Sequence, residues 1–277
     1  MDSIYQALRG VIFKEIAMQI HMVRCFGAVP GYGNVAAVIE NGPAAAAERQ
    51  AFARESAHNA CVFITPLASG QAWEADYYYP HARSPLCLHA SLAAGHVLLE
   101  RKATVQLTTA MRGQEIPLCK VGSTVFAVVQ KQAVAPIGID PGLPAQLLGE
   151  PDLKLSSPPL LSSVGSPKLL IEVADRAVLH ALRPPLDQIV AWGQQNGVNG
   201  CYVYCRTGEH EYEGRNFNHL DPSKEDLATG VAAGALAAWL GRDLVMLQGA
   251  TLGNPCRIVT QVRARSIHVG GATEALA

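Results

Sequence analysis

Charge is scarce in this chain. Lys and Arg number 22 and Asp and Glu 23, so only 16% of the 277 residues are charged and the formal net charge is -1, with a pI near 6.7. The cations are scattered, which leaves no basic field to gather phosphate backbones and argues against a nucleic-acid partner. No apolar run reaches the roughly 20 residues that span a bilayer: the longest, 227–240, is broken by Thr229, Gly230 and Gly234. The first residues mix Asp2, Arg9, Lys14 and Glu15 with apolar side chains and lack the basic start and unbroken apolar centre of a secretory leader. A cytoplasmic location with no membrane partner is the expectation. The seven cysteines are odd in number, and no CxxC finds a second CxxC or an HxxxH, so neither a disulfide framework nor a zinc site is expected. The glycines of 27–33 lack a Gly-Lys-Ser/Thr ending, and no GxGxxG joins a strand to a helix, so no nucleotide cofactor is implied.

What the chain does have is apolar material, 49% of its residues. That suits one large core or two of roughly 130 residues. Its periodicity predicts strands at 20–26 and 34–39 around a Gly/Pro turn, a helix at 44–57, and strands at 60–65 and 73–79. An Ala/Leu-rich helix at 87–101 follows, then strands at 103–109, 116–121 and 124–130. The stretch 133–159 is rich in Pro and Gly, with a short helix at 144–148. The second half predicts a strand at 168–173, a helix at 185–194, strands at 200–204 and 211–217, a loop with Pro222, a second apolar helix at 227–240, and strands at 244–248, 257–263 and 267–269. These segments group as domains 18–135 and 160–270 joined by a linker, 136–159. Both Ala-rich helices are apolar on nearly every face, and such a helix must be enclosed. An α+β chain of two equivalent halves, each a curled, mostly antiparallel sheet around its own helix, satisfies this; a single three-layer α/β domain is the rival.

Each enclosed helix is preceded by a polar loop, and the N–H groups of its first turn have no partner within the helix. Two such ends facing one cleft would hold a carboxylate. The first loop offers Cys87, His89 and Ser91; the second offers Glu225, Asp226, Thr229 and Gly230. The plainer alternative is that these residues cap their helices, Asp226 as an N-cap above all. In Tyr77-Tyr78-Tyr79, alternate rings of a strand pack inward and Tyr79 is placed to reach the cleft. His219 and Asp221 lie in the loop before the second helix.

The order of the motifs resembles the phenazine-biosynthesis isomerase-like family, which shares the two-barrel fold of diaminopimelate epimerase and proline racemase. Gly33-Asn34-Val35-Ala36-Ala37-Val38 is similar to the family's opening Gly-Asn-x-Ala-x-Val. Leu86-Cys87-Leu88-His89-Ala90-Ser91-Leu92-Ala93-Ala94 resembles Cys-Gly-His-Ala-Thr-x-Ala-Ala. Gly214-Arg215-x-Phe217 and Glu225-Asp226-Leu227-Ala228-Thr229-Gly230 resemble the Arg-x-Phe segment and the Glu-Asp-Pro-Val-Thr-Gly loop. The resemblance implies a cofactor-independent isomerase acting on a small carboxylate-bearing molecule of secondary metabolism, assembled as a homodimer. It implies His89 and Asp226 as the proton carriers, and Asn34, Asn59, Ala60, Tyr79, Cys87, Leu88, Ala90, Ser91, Thr229, Gly230 and Val231 around the substrate.

Departures from the pattern bear on mechanism. Where the family reads Ser-Glu-Thr-x-Phe, this chain reads Asn59-Ala60-Cys61-Val62-Phe63, so the expected carboxylate base is an alanine; His58, Cys61, His89 and Asp226 are the candidates to replace it. Leu88 stands for a glycine and Val231 for a small polar residue, which implies a tighter, more apolar pocket. Cys87 falls at the first thiol position of the racemase branch, but Leu227 falls at the second, so a two-thiol racemase is disfavoured. Cys87 is either a small buried residue or a thiol of lowered pKa at a helix start. A lyase or cyclase acting on a related intermediate, and a binding protein that has lost catalysis, are the alternative functions.

Overall fold

A computed structural model describes residues 17–56, 58–68, 72–217 and 225–276. Ala57 and the loop holding His219, Asp221 and Pro222 lie outside them. The first half runs β1 (Gln19–Cys25), β2 (Asn34–Glu40), α1 (Ala46–Ser56), β3 (Ala60–Pro66), β4 (Ala72–Tyr78), β5 (Arg83–Ser84), α2 (Leu88–Leu99), β6 (Val105–Thr109), β7 (Glu115–Val121) and β8 (Thr124–Val129). After α3 (Leu143–Leu148), the second half runs β9 (Leu160–Ser162), β10 (Lys168–Glu172), α4 (Arg176–Ala181), α5 (Leu186–Asn196), β11 (Cys201–Arg206), β12 (Glu211–Phe217), β13 (Glu225–Asp226), α6 (Gly230–Leu240), β14 (Leu244–Gln248), β15 (Cys256–Arg263) and β16 (Ser266–Ala275).

The fold is α+β, of the diaminopimelate epimerase type. Strands β1, β2, β3, β4, β6, β7, β8 and β16 form a closed ring around α2, because β16 pairs with both β8 and β1. The strands β16, β15, β14, β12, β11, β10 and β9 curl in the same way around α6. Beyond β9, Gln132 donates its backbone N–H to the Ser163 carbonyl at 2.8 Å, tying that edge back towards the segment after β8.

Most neighbours are antiparallel, and the exceptions place the helices. The parallel pairs β2–β3, β4–β6, β10–β11 and β12–β14 each need a crossover, which a helix supplies. For β4–β6 that crossover is α2, and for β12–β14 it is α6, so each passes through its own curled sheet. Leu88 to Ala94 are all buried on α2, as are Gly230 to Ala237 on α6. Burial at about 1.5–3 kcal/mol per large apolar side chain then makes a helix without a polar face stable. The enclosure is tight enough to require glycine: a Cβ on Gly95 would stand 2.9 Å from Val125 Cγ1, and one on Gly234 would stand 2.9 Å from Val269 Cγ2. Replacing either would push the wall strand outward.

Three sequence expectations shift. The second apolar helix begins at Gly230 rather than 227, with Thr229 as its N-cap, so Asp226 is not a cap but part of β13. The last strand covers ten residues instead of three, because it is the seam shared by both sheets and hydrogen-bonds β1, β8 and β15. Helix α4 was not anticipated; Asp175 caps it by accepting from the Val178 N–H at 2.9 Å.

Candidate active site

The first turns of α2 and α6 meet at the junction of the two sheets. A Cβ placed on Gly230 would lie 3.0 Å from Leu88 Cβ, so the helix starts are in van der Waals contact. Beside them opens a cleft lined by Tyr79, Leu86, Cys87, Leu88, His89, Ser166, Lys168, Asn199, Asp226, Ala228, Thr229, Gly230 and Val231. Neither N-cap, Cys87 or Thr229, caps its helix through its side chain. The cavity measures about 30 Å³, room for about two waters. An organic acid therefore enters only if a side chain such as Leu88 or one of the lobes gives way.

On the first lobe, the Cys87 thiol lies 3.2 Å from His89 Nδ1 and accepts a hydrogen bond from the Tyr79 hydroxyl at 3.3 Å. Burial alone would push this thiol up, but the adjacent imidazole, the Tyr79 hydroxyl and the Ala90 backbone N–H together bring it below the usual cysteine value. His89 moves the other way: burial opposes its charged form, yet Cys87 and Asp226 raise its pKa. The two shifts converge, so each group makes the other's charged form easier to reach inside an apolar wall. Burial raises the Tyr79 pKa, reinforced by Cys87 and Asp226, so its phenol stays protonated and able to donate.

On the second lobe, Asp226 Oδ1 accepts from Asn34 Nδ2 at 3.1 Å and Oδ2 accepts from Thr229 Oγ1 at 2.6 Å. Gln248, fully buried, donates through Nε2 to the Asp226 carbonyl at 2.8 Å and accepts from the Thr229 N–H at 3.2 Å. The preceding residue is fixed as firmly. Arg215 donates to both oxygens of Glu225, at 2.9 and 2.6 Å, and to the carbonyls of Leu179 and Leu182. Asp226 is thus held by its side chain, its carbonyl and its neighbour.

Of the residues expected around a substrate, Tyr79, Cys87, Leu88, His89, Asp226, Thr229, Gly230 and Val231 line the cleft. The others sit behind it. Asn34 bridges, donating to Asp226 and to the Ala228 carbonyl and accepting from Asn59 Nδ2 at 2.9 Å. Ser91 faces the interior, sharing a 2.7 Å hydrogen bond with the Tyr77 hydroxyl and donating to the Cys87 carbonyl. Ala90 reaches the site through its backbone N–H, and Ala60 lies buried in the core that includes α2. Cys61 points away, into the layer between the sheet and α1, where it contacts Ser56 Oγ at 3.5 Å. Sequence reasoning missed Lys168, Ser166 and Gln248, and gave Asn199, which with Gly200 belongs to the motifs resembling the family, no place in the site. A lone Lys opening an apolar strand, 168–172, was the signal available for the first.

The family model described as phenazine biosynthesis-like protein matches residues 23–275. The chain belongs to this family. Among curated members it is similar to an uncharacterized isomerase of Deinococcus radiodurans, 29% identical with 90% of each chain covered. Among solved structures it is similar to a Pseudomonas aeruginosa protein described as a predicted epimerase: 26% identity, TM-score 0.77, with 94% of this chain and 98% of that one covered. A Bacillus anthracis phenazine biosynthesis family protein superposes with TM-score 0.78 at 18% identity, covering 95% and 98%, and speaks for the fold alone. Among the described residues no group of three or more His, Cys, Asp or Glu side chains is placed to hold a metal ion, and no helix is long and apolar enough to cross a membrane.

Proposed function

We propose that this family member is an isomerase that moves a proton between carbons of a small carboxylate-bearing metabolite of secondary metabolism, using side chains alone. The observation that carries the reading is the shared cleft: an imidazole paired with a thiol on one wall, a carboxylate on the other, and two helix starts without side-chain caps between them.

The substrate carboxylate would lie against the first-turn N–H groups of α2 and α6, whose positive ends favour an anion. As a proton leaves a carbon conjugated to that carboxylate, the charge that develops spreads onto oxygens already facing those donors. Asp226 serves as the base. Its hydrogen bonds from Asn34 and Thr229 hold the carboxylate in place, and a vinylogously acidified C–H asks less of a base than an ordinary one. His89, held against the Cys87 thiol, returns a proton at the other carbon. The Ala60 position holds no proton carrier and Cys61 faces away, so this pairing replaces the glutamate of the family pattern.

The test is proton exchange with D₂O on vinylacetate and related β,γ-unsaturated acids, followed by NMR. Loss of a positioned acid or base costs about 10²–10⁴-fold, so Asp226→Asn and His89→Ala should each lose exchange on that scale. Unchanged exchange in both variants would remove the assignment. Binding without any exchange would favour a non-catalytic relative, and a change in product mass a lyase.

A further inference from the structure

We propose that Lys168, with Ser166 and Asn199, forms a second anion-binding subsite in this cleft, so that the substrate is a dicarboxylate. The proposal rests on the reading of the helix starts as a carboxylate site, and adds the opposite end of the ligand.

Lys168 is 1% exposed, yet it lines the cleft at the start of β10. Among the described residues its ammonium makes no hydrogen bond and no ion pair, whereas the other buried cations, Arg49 and Arg215, donate to a carboxylate and to backbone carbonyls. A buried charge without a partner is costly and is retained where something outside the chain completes it. Its two neighbours on the same wall share this incompleteness. Asn199 Nδ2 donates to Ser166 Oγ at 3.2 Å, which leaves the serine proton free to donate into the cleft. The other end of that amide, Oδ1, is buried with no donor. An ammonium and a hydroxyl lining the cleft that holds the helix starts can together receive a second carboxylate of the same ligand.

Charge accounting agrees. Asp226 already faces the cleft, so a second negative group would be repelled without a cation beside it. Burial lowers the Lys168 pKa to about 8, against the opposing pull of Asp226 and Cys201. At neutral pH it is therefore still mostly charged. Across the cleft it faces Tyr79, Cys87 and His89; these serve a monoacid and a diacid alike, so the ratio of the two affinities isolates Lys168.

The experiment compares succinate with butyrate by isothermal titration calorimetry on the full chain. For the wild type at pH 7, succinate should bind about tenfold or more tighter, the scale of one charged hydrogen bond. Lys168→Met should abolish that preference, weakening succinate far more than butyrate. Raising the pH to 9.5 should erase the preference in the wild type, because the lysine loses its proton, but not in Lys168→Arg, whose charge persists. The wild-type pH arm stands even if Lys168→Met fails to fold. Equal wild-type affinities at pH 7, or a preference that survives in Lys168→Met, would overturn the proposal while leaving the carboxylate site intact. Failure of butyrate itself to bind would overturn the carboxylate site, and this inference with it.

Discussion

Arg215 and Glu225 form an enclosed ion pair, with side chains 7% and 8% exposed, and they hold the backbone on which Asp226 sits. Replacing Arg215 by Met leaves the Glu225 carboxylate buried with, among the described residues, a single 3.4 Å hydrogen bond from Thr251. Stripping one partner from a buried pair costs about 3–5 kcal/mol, and the freed Leu179 carbonyl adds about 1 kcal/mol, while the Leu182 carbonyl still accepts from Arg183. Urea unfolding should therefore show Arg215→Met destabilised by about 4–6 kcal/mol. The companion double variant, Arg215→Met with Glu225→Met, removes the stranded charge and should recover about 2–4 kcal/mol of that loss. Glu225→Met alone should also be strongly destabilising, since it leaves a buried guanidinium. A single-variant cost below about 1 kcal/mol, or a double variant no more stable than Arg215→Met, would refute the view that this pair is a desolvated clamp. Even where the double variant regains stability, it should not regain full exchange activity, because the Asp226 carboxylate is no longer fixed from its neighbour.

The lowered Cys87 thiol should be the cysteine that reacts first with methyl methanethiosulfonate; His89→Ala removes the imidazole that favours the thiolate, so its reactivity profile, read by mass spectrometry, should move to higher pH. Lys168 has a folded pKa near 8 against 10.5 in the unfolded chain, so the unfolded state binds more protons between those values. Its penalty is full below about pH 8 and is relieved as pH rises towards 10.5, and the stability gap between wild type and Lys168→Met, measured by urea unfolding, should change in favour of the wild type by up to about 3 kcal/mol across that window. Leu88→Ala should cost about 2–5 kcal/mol for a buried leucine while widening the cleft, and a gain in butyrate affinity by calorimetry would show that this side chain limits entry.

Composition and pattern decided the architecture. A helix such as 230–240, with no polar face, has nowhere to go but inside a curled sheet, and the two halves carry such helices at matching places. The motif order Gly33-Asn34, Cys87-Leu88-His89 and Asp226 to Gly230 marked the cleft because local backbone chemistry and family pattern coincide there. That residue 60 is an alanine, and so carries no carboxylate, was equally legible, being a matter of identity alone. Distant partners were not. Gln248 pins the Asp226 loop from β14, Arg215 clamps Glu225 from β12, and β16 closes the first barrel from the far end of the chain, all through contacts with no local signature. Lys168 is the clearest case. In sequence it is one cation before an apolar strand, indistinguishable from a solvated strand end; only the closure of both sheets over it makes it a buried, unpartnered charge beside Asp226.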